Sequence, residues 1–193
     1  MTHEDARDRT VRAMQARFHG DPSQAARVWE TAEHFYDQVS AEWDLEVPPA
    51  AQLLRWAAEL HEIGLDIAHA QHHRHAAYLL AHADLAGFST GAQRTLAAMV
   101  GQHRRKFREE LTEGIPGDWL DRTRRLTVLL RLAVVLRRSR QPEPLPEIAA
   151  RADGRKLSLC FPPGWLDERP LTRADLAQEQ SYLDSVGVKL KFE

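Results

Sequence analysis

The stretch AAELHEIGLDIAHAQHHRHAAYLL, residues 57–80, decides the fold. Apolar side chains recur at helical spacing as the chain enters it, at Leu53, Leu54, Ala57 and Leu60. This periodicity predicts a helix with one buried face. Gly64 follows, and we expect the helix to stop there because glycine commonly ends helices in a left-handed conformation. His61 and Glu62 are therefore predicted to lie at the inner end of a core helix.

A histidine beside a carboxylate at such a place has two interpretations. The pair can bind a divalent metal or move protons if other helices bring further ligands to the same point. Alternatively, His61 is a core histidine with one hydrogen-bond partner, and Glu62 is a solvated charge at a helix end. Four of the ten histidines then follow within one loop and turn, at His69, His72, His73 and His75. This second cluster favours a polar site.

The composition indicates a globular protein of one domain, or one domain with a small appendage. Hydrophobic residues make up 43% of the 193 residues and charged residues 28%, which are ordinary values for a folded chain. The net charge of -2 gives no overall reason to expect nucleic acid or a membrane surface. Residues 101–140 differ, because they hold eleven Lys or Arg against five Asp or Glu. That segment is a candidate anion-binding region.

A single cysteine, Cys160, excludes an intramolecular disulfide and fits a reducing cytoplasm. No apolar run approaches the roughly 18 residues that a membrane-spanning helix needs. The first residues, MTHED, show no signal-peptide pattern and lead at once into a charged helix. We therefore expect a cytoplasmic protein, and this beginning suits a fragment of a longer chain as well as a natural terminus.

Six helices are predicted in the first 140 residues. Hydrophobic periodicity and capping residues place them at about 3–18, 21–39, 48–61, 74–82, 90–103 and 118–139. Asp21 is the expected cap of the second helix, with Pro22 at its first position. Thr90 and Gln93 have the form of a capping box for the fifth. The sixth helix is the most apolar stretch and is expected to be central.

A proline-rich linker, residues 141–146, is predicted to separate this helical domain, residues 1–140, from a small terminal domain, residues 147–193. The period changes toward two there, which predicts strands at 148–152, 156–161 and 188–192, with a helix at 172–186. Asp153 and Gly154 read as a two-residue hairpin turn. We expect three antiparallel strands and one helix, a unit too small to be stable without a neighbouring domain.

Six motifs in order resemble one known family. They are LHEIGL (60–65), HRHAAYLL (73–80), DLAGF (84–88), VGQHRRK (100–106), LLRLA (129–133) and FPPGWL (161–166). Together they resemble the C-terminal half of the exopolyphosphatase and guanosine pentaphosphate phosphatase (Ppx/GppA) family, over essentially the whole chain. EWDLE (42–46) and GWL (164–166) lean slightly toward the guanosine pentaphosphate branch.

The resemblance implies that the catalytic parts lie outside this chain. In that family an N-terminal pair of actin-like lobes carries the phosphate loops, the catalytic carboxylate and the magnesium site. No glycine-rich phosphate loop opens a helix in these 193 residues. The resemblance thus implies no catalytic residue and no cofactor in this chain, and magnesium for the missing lobes. It further implies a mainly α fold, an HD-domain-like helical bundle followed by the small α+β domain.

The resemblance also implies a degenerate HD-type metal site. An HD site joins a histidine, a His-Asp pair and a late aspartate, and these positions fall on Gln24, His61, Glu62 and Val134. Gln24 offers a neutral amide and Val134 no ligand, so we predict no metal. Instead we expect His61, Glu62, His75 and His103 to form a buried hydrogen-bonded cluster. Weak metal binding by those four residues is the alternative.

The basic segment supplies the candidate polyanion-binding residues. Guanidinium groups suit phosphate oxygens, and two neighbouring basic faces can form one stripe. The candidates are Arg104, Arg105, Lys106, Arg108, Arg131, Arg137 and Arg138. The alternative is that these cations are a capped helix end and a solvated helix face. Nucleic acid is a disfavoured partner, since no series of aromatic residues alternates with the arginines to stack bases.

These inferences predict the accessory half of a Ppx/GppA-type phosphatase. The resemblance implies that it helps to hold polyphosphate or guanosine pentaphosphate, contacts the N-terminal lobes of the same protein and supports a homodimer. A fragment of this kind is not expected to hydrolyse phosphoanhydrides alone. The alternatives are a free-standing metal-dependent HD phosphohydrolase and a purely structural dimerisation module.

Overall fold

A computed structural model gives the fold and describes residues 5–193. The described part contains seven α-helices and one three-stranded sheet. The helices are α1 Ala6–Arg17, α2 Pro22–Val39, α3 Ala50–Leu60, α4 His72–His82, α5 Thr90–Gly101, α6 Gly117–Leu136 and α7 Pro170–Asp184. The strands are β1 Ala149–Asp153, β2 Lys156–Cys160 and β3 Lys189–Phe192. The prediction of a mainly helical fold with a small α+β region is confirmed.

Side-chain caps fix several helix starts. The Asp21 carboxylate accepts hydrogen bonds from the backbone N–H groups of Ser23 and Gln24, so the predicted cap of α2 is confirmed. In α5 the cap is Ser89, whose hydroxyl accepts from the Ala92 N–H. The predicted capping box at Thr90 is therefore wrong by one residue. The predicted start of the first helix at residue 3 lies outside the described residues.

Gly64 does not end α3 in a left-handed conformation, and that prediction is wrong. The helix ends at Leu60, and a 3-10 turn at Ile63–Asp66 follows. Gly64 is instead required by a close approach, because a Cβ there would lie 1.8 Å from the His72 carbonyl oxygen and 2.8 Å from the Ala76 nitrogen. A bare backbone at this position lets the first turn of α4 pack directly against the segment that carries Glu62.

The long helix α6 is central, as predicted. It contacts α2, α3, α5 and α7, and most of its buried residues between Leu126 and Leu136 are apolar, with Thr127 and Arg131 buried among them. Trp43, Trp56 and Phe35 are fully buried in the same core. No helix among residues 5–193 is both long and apolar enough to cross a membrane.

The sheet has one strand direction that the sequence did not predict. β1 and β2 form an antiparallel hairpin in which Asp153 pairs with Lys156, so the turn is Gly154 and Arg155, one residue later than predicted. β3 pairs with β2 in parallel, so the prediction of three antiparallel strands is wrong. The chain reaches β3 through α7, and a helical crossover is the usual connection between parallel strands.

The sheet packs on the helices through a continuous hydrophobic core. Leu157 and Leu190 are paired across β2 and β3, and both are buried. Both polar atoms of the Gln38 side-chain amide in α2 bond to the backbone at the start of β1. The nitrogen donates to the Ile148 carbonyl at 3.2 Å, and the oxygen accepts from the Ala150 N–H at 2.9 Å. The Trp43 indole N–H donates to the Gly154 carbonyl at 3.0 Å. These bonds fix the small unit against α2 and the turn that follows it.

Gly64→Ala is expected to lower the free energy of unfolding by about 3 kcal/mol, since a new methyl must displace the backbone of α4. Gly91→Ala is the matched control, because nothing lies within 4 Å of a Cβ at that position of α5. The control is expected to be neutral or to stabilise by up to about 1 kcal/mol through helix propensity. Urea unfolding of both variants measures the difference, and equal stabilities would contradict the close approach.

Candidate functional site

A cleft of about 500 Å³ lies where the helical bundle meets α7. Its bundle side is formed by the ends of α3 and α5, the start of α4 and the C-terminal half of α6. Its other side is α7. The polar and charged residues that line it are Gln24, Glu62, His69, His72, His103, Arg104, Arg105, Arg138, Arg140, Asp175, Gln178, Glu179 and Tyr182. The cleft therefore combines a histidine cluster with a ring of charged side chains.

His61 and His103 are held beside this cleft by the backbone of their own helices. The Nδ1–H of His61 donates to the Ala58 carbonyl at 2.6 Å, and that of His103 donates to the Val100 carbonyl at 2.5 Å. Their rings meet edge to face with centroids 5.1 Å apart. Burial lowers the pKa of His103 well below its ordinary value, and the neighbouring imidazoles lower it further. His103 is thus neutral, with its Nε2 free to accept a hydrogen bond.

Two histidines of α4 complete the cluster. The His72 ring lies 5.3 Å from that of His103, and the His73 ring lies 6.2 Å from it. Burial and the charge of Arg104 lower the pKa of each to about 4. The Nδ1 atoms of His72 and His73 are buried and have no hydrogen-bond partner within residues 5–193. Four imidazoles therefore gather in one place, and at least three of them are neutral at pH 7.

His75 is not part of this group, which corrects the predicted cluster. It is half-buried on α4 and makes no ring contact with the other histidines of the described chain. α4 begins at His72, and its buried positions are His72, His73, Ala76, Ala77 and Leu80. Sequence reasoning noted His72 and His73 in the second histidine cluster but did not place them in the buried cluster, although each lies four residues before a buried alanine. That helical spacing was the signal that could have found them.

Glu62 is paired with an arginine rather than solvated. Its Oε1 lies 3.6 Å from Nε2 of His61, and its two oxygens accept from Arg140 at 2.7 and 3.1 Å. Burial raises the pKa of Glu62, but the contacts with His61 and Arg140 outweigh it and lower the pKa to about 2. Arg140 also donates to Asp21 at 2.9 Å. The guanidinium therefore bridges the two carboxylates, and its single positive charge is shared between them.

The structure brings the four positions that the resemblance assigns to metal ligands around this cleft, but they do not fit a metal. The Gln24 amide donates to the Arg137 carbonyl at 2.9 Å and accepts from Arg27 at 3.0 Å, so both of its ends are used. Val134 is half-buried in the wall of the cleft, and its apolar side chain offers no ligand atom. Among residues 5–193, no three His, Cys, Asp or Glu side chains are arranged to hold a metal ion.

Two of the predicted polyanion-binding residues are buried, which corrects the sequence interpretation. Arg131 is fully buried and donates to Glu179 at 2.8 and 3.0 Å, to the Gln102 carbonyl at 2.6 Å and to the Arg105 carbonyl at 2.8 Å. Arg137 is buried between α2 and the linker. It donates to the Thr31 hydroxyl, to the Glu143 carbonyl and to the carboxylate of Glu30. Both guanidinium groups are used inside the fold.

The other predicted cations remain at the surface. Within residues 5–193, no carboxylate pairs with Arg104, Arg105 or Lys106. Arg104 is half-buried, and burial together with the charges of Arg105 and Arg138 lowers its pKa. Arg138 is exposed and pairs with Asp175 at 2.8 Å, and Arg108 pairs with Glu110 at 2.7 Å. Arg104 and Arg105 are therefore unneutralised cations in the wall of the cleft.

Comparison with known proteins decides the family. A family model described as Ppx/GppA phosphatase, domain III, matches residues 6–180. The chain belongs to the Ppx/GppA phosphatase family. The predicted resemblance to the C-terminal half of that family is confirmed.

Curated relatives of this Ppx/GppA domain III chain carry the name guanosine-5'-triphosphate,3'-diphosphate pyrophosphatase. The protein of Vibrio vulnificus is 37% identical over 196 residues, that of Vibrio cholerae 38% over 198 and that of Photobacterium profundum 36% over 196. Each match covers 100% of this chain and 38% of the relative. The chain therefore spans well under half the length of the relatives that it matches.

The neutral histidines predict that acid destabilises the fold between about pH 6.5 and pH 4. His72 and His73 have a pKa of about 4 in the folded state against an ordinary 6.5, so the unfolded chain binds more protons in this interval. Stability therefore rises with pH through the interval and is lost as pH falls through it. Urea unfolding at pH 7 and pH 5 measures this dependence.

In the same measurement, the double variant His72→Gln/His73→Gln is expected to have a flatter pH dependence, because it removes two protonation sites. His82→Gln, at the exposed end of the same helix, is the control and is expected to keep the original slope. A double variant with an unchanged slope would contradict the assignment of neutral buried imidazoles.

Arg131→Met is expected to lower the free energy of unfolding by about 3–5 kcal/mol, because it leaves Glu179 buried without its partner. The double variant Arg131→Met/Glu179→Leu is expected to lose less, since no unpaired charge remains. The control Arg138→Met breaks the exposed pair with Asp175, which is worth about 1 kcal/mol or less. If urea unfolding gave the same loss for Arg131→Met and Arg138→Met, the buried pair would carry no special cost.

Proposed function

We propose that this Ppx/GppA domain III chain is an accessory, phosphate-binding region of a phosphatase that acts on guanosine pentaphosphate or polyphosphate. The cleft between α6 and α7 binds phosphate groups of the substrate through Arg104 and Arg105. Hydrolysis takes place in actin-like lobes outside this chain, with magnesium bound there. The region also supports assembly of a homodimer.

The observation that carries the proposal is a cleft wall with unneutralised arginines. Arg104 and Arg105 have no carboxylate partner in the described chain, and Arg138 lies close enough to lower the pKa of Arg104 further. Like charges gathered in this way raise the local positive potential, which a bound phosphate relieves. Guanidinium groups also match phosphate oxygens in geometry, so the phosphate is recognised as well as attracted.

Hydrogen bonds within the fold hold the loop that carries Arg104 and Arg105. The carbonyl of Arg105 accepts from the buried Arg131 at 2.8 Å, and the N–H of Arg108 donates to the Gln102 side chain at 3.0 Å. The loop after α5 is thus held at two points before any ligand arrives. Binding then costs less ordering of the backbone than it does in a free loop.

The names of the relatives favour guanosine pentaphosphate over polyphosphate. Their name specifies a guanosine triphosphate diphosphate as the compound cleaved. For this chain, we propose the same class of ligand at the cleft. The cavity of about 500 Å³ is in the size range of small-molecule sites, so it has room for several phosphate groups.

Catalysis by this chain alone is disfavoured by the side chains at the HD-like positions. Gln24 has both ends of its amide engaged, Glu62 is neutralised by Arg140, and Val134 has no donor atom. These contacts count against the alternative of a free-standing metal-dependent phosphohydrolase. They favour an inherited polar cluster that now shapes a binding cleft.

Calorimetric titration of the 193-residue chain with guanosine pentaphosphate tests the proposal. Saturable binding is expected, and Arg104→Ala/Arg105→Ala is expected to weaken it by about tenfold or more, since charge-assisted contacts are lost. Lys189→Ala/Lys191→Ala, an equal change of charge on the exposed face of β3, is expected to bind as the parent does. Higher salt is expected to weaken binding.

The other outcomes separate the alternatives. Polyphosphate binding with no guanosine pentaphosphate binding would move the assignment to the exopolyphosphatase branch. Absence of binding to either ligand, with a dimer in sedimentation, would leave the purely structural module. Stoichiometric bound metal that is lost in His61→Ala, together with turnover by this chain alone, would establish the phosphohydrolase instead.

A further inference from the structure

A second cavity, of about 250 Å³, lies at the opposite end of the α6–α7 seam. It is formed where the β1–β2 turn and the C-terminal end of α7 meet the first half of α6. Arg125 of α6 lies in its wall, whereas Val135 of the same helix lines the first cleft. Ten positions separate the two along α6, which is about 15 Å at 1.5 Å per residue. The second cavity is therefore distinct from the cleft described above.

Three arginines and one carboxylate line this cavity: Arg124, Arg125, Arg155 and Asp121. The pairing between them is weak, because the nearest oxygen of Asp121 lies 3.8 Å from Arg124. Arg155 is exposed, and its side chain has no hydrogen bond or ion pair within residues 5–193. The wall thus carries a positive charge that the described chain does not neutralise.

The backbone holds one of these arginines in place, and a glycine leaves room for another. Arg125 donates to the Trp43 carbonyl at 2.8 Å, which fixes one edge of its guanidinium and leaves other N–H groups available. Gly187 has a φ of +75°, and a Cβ there would lie 3.2 Å from a guanidinium nitrogen of Arg155. Glycine at this position lets the Arg155 side chain lie over the end of α7.

The same arginines could serve only to balance the partial negative charge at the C-terminal end of α7. That role usually includes hydrogen bonds to the last carbonyl groups of the helix. In the described chain, none of the three side chains makes such a bond, and the one that has a carbonyl partner uses Trp43. Helix capping therefore does not account for them.

We propose that this cavity binds a small phosphate-class oxyanion, inorganic phosphate or pyrophosphate, through Arg124, Arg125 and Arg155. Two or three guanidinium groups around one tetrahedral anion supply charge-assisted hydrogen bonds from several directions. The volume is below the roughly 300 Å³ at which small-molecule sites begin, so it suits one or two phosphate groups and excludes a whole nucleotide. The site is independent of the substrate cleft and goes beyond the proposed function.

Titration of the 193-residue chain with inorganic phosphate and with pyrophosphate, followed by calorimetry and by the unfolding temperature, tests this site. Saturable binding and a raised unfolding temperature are expected, since a ligand of the folded state stabilises it. Arg155→Ala is expected to weaken binding about tenfold, and Arg155→Lys to restore part of it. Because the Arg155 side chain makes no bond in the described chain, the unliganded variants are expected to unfold at the parent temperature.

Two comparisons locate the binding. Arg151→Ala removes an exposed arginine of β1 from the same hairpin and is expected to bind phosphate as the parent does. In the Arg104→Ala/Arg105→Ala background, which removes the arginines of the first cleft, Arg155→Ala is expected to cause the same loss of phosphate binding as in the parent. Absence of saturable binding would overturn the proposal. So would binding that Arg155→Ala leaves unchanged in either background.

Discussion

One buried ion pair joins the parts of this molecule that form the cleft. Arg131 of α6 bonds to Glu179 of α7 and also donates to backbone carbonyls of Gln102 and Arg105. Its guanidinium lies between the rings of Phe107 and Tyr182, 4.6 and 5.2 Å from their centroids. Two desolvated charges are tolerated only when their bonds are satisfied, so α7 and the loop after α5 must dock in one geometry. The cleft is a consequence of that docking.

The pairing of charged side chains also determines the electrostatic character of the cleft. Its floor is lined by imidazoles that burial keeps neutral, while Arg140 neutralises Glu62. The Arg140 guanidinium thus neutralises the Glu62 carboxylate, which would otherwise attract a divalent ion. Positive charge remains only in the wall, at Arg104 and Arg105, where partner carboxylates are lacking in the described chain. The proposed binding of phosphate depends on this separation of a neutral floor from a cationic wall.

Sequence reasoning succeeded where a signal is local. The Asp21 cap, the central α6 and the alternation of β3 each depend on neighbours a few residues away, so their patterns were readable. It failed where the outcome depends on which distant segment packs against a given helix face or strand edge. Arg131 lies on a helix face that the sequence pattern predicts to be exposed, but α7 covers this face in the fold. The direction of β3 depends on the end of the sheet at which α7 connects to it. Sequence reasoning placed His75 rather than His72 in the buried cluster, and it began α4 two residues late.

The sequence by itself determined the helical elements, their apolar faces and the family, because periodicity, caps and ordered motifs are written along the chain. Only the tertiary structure decided which charges remain free. Whether an arginine is buried, paired or unneutralised depends on carboxylates and carbonyls tens of residues away, as with Glu179 for Arg131 and Glu62 for Arg140. Electrostatic interactions act through space, and their strength depends on the burial that the completed fold imposes.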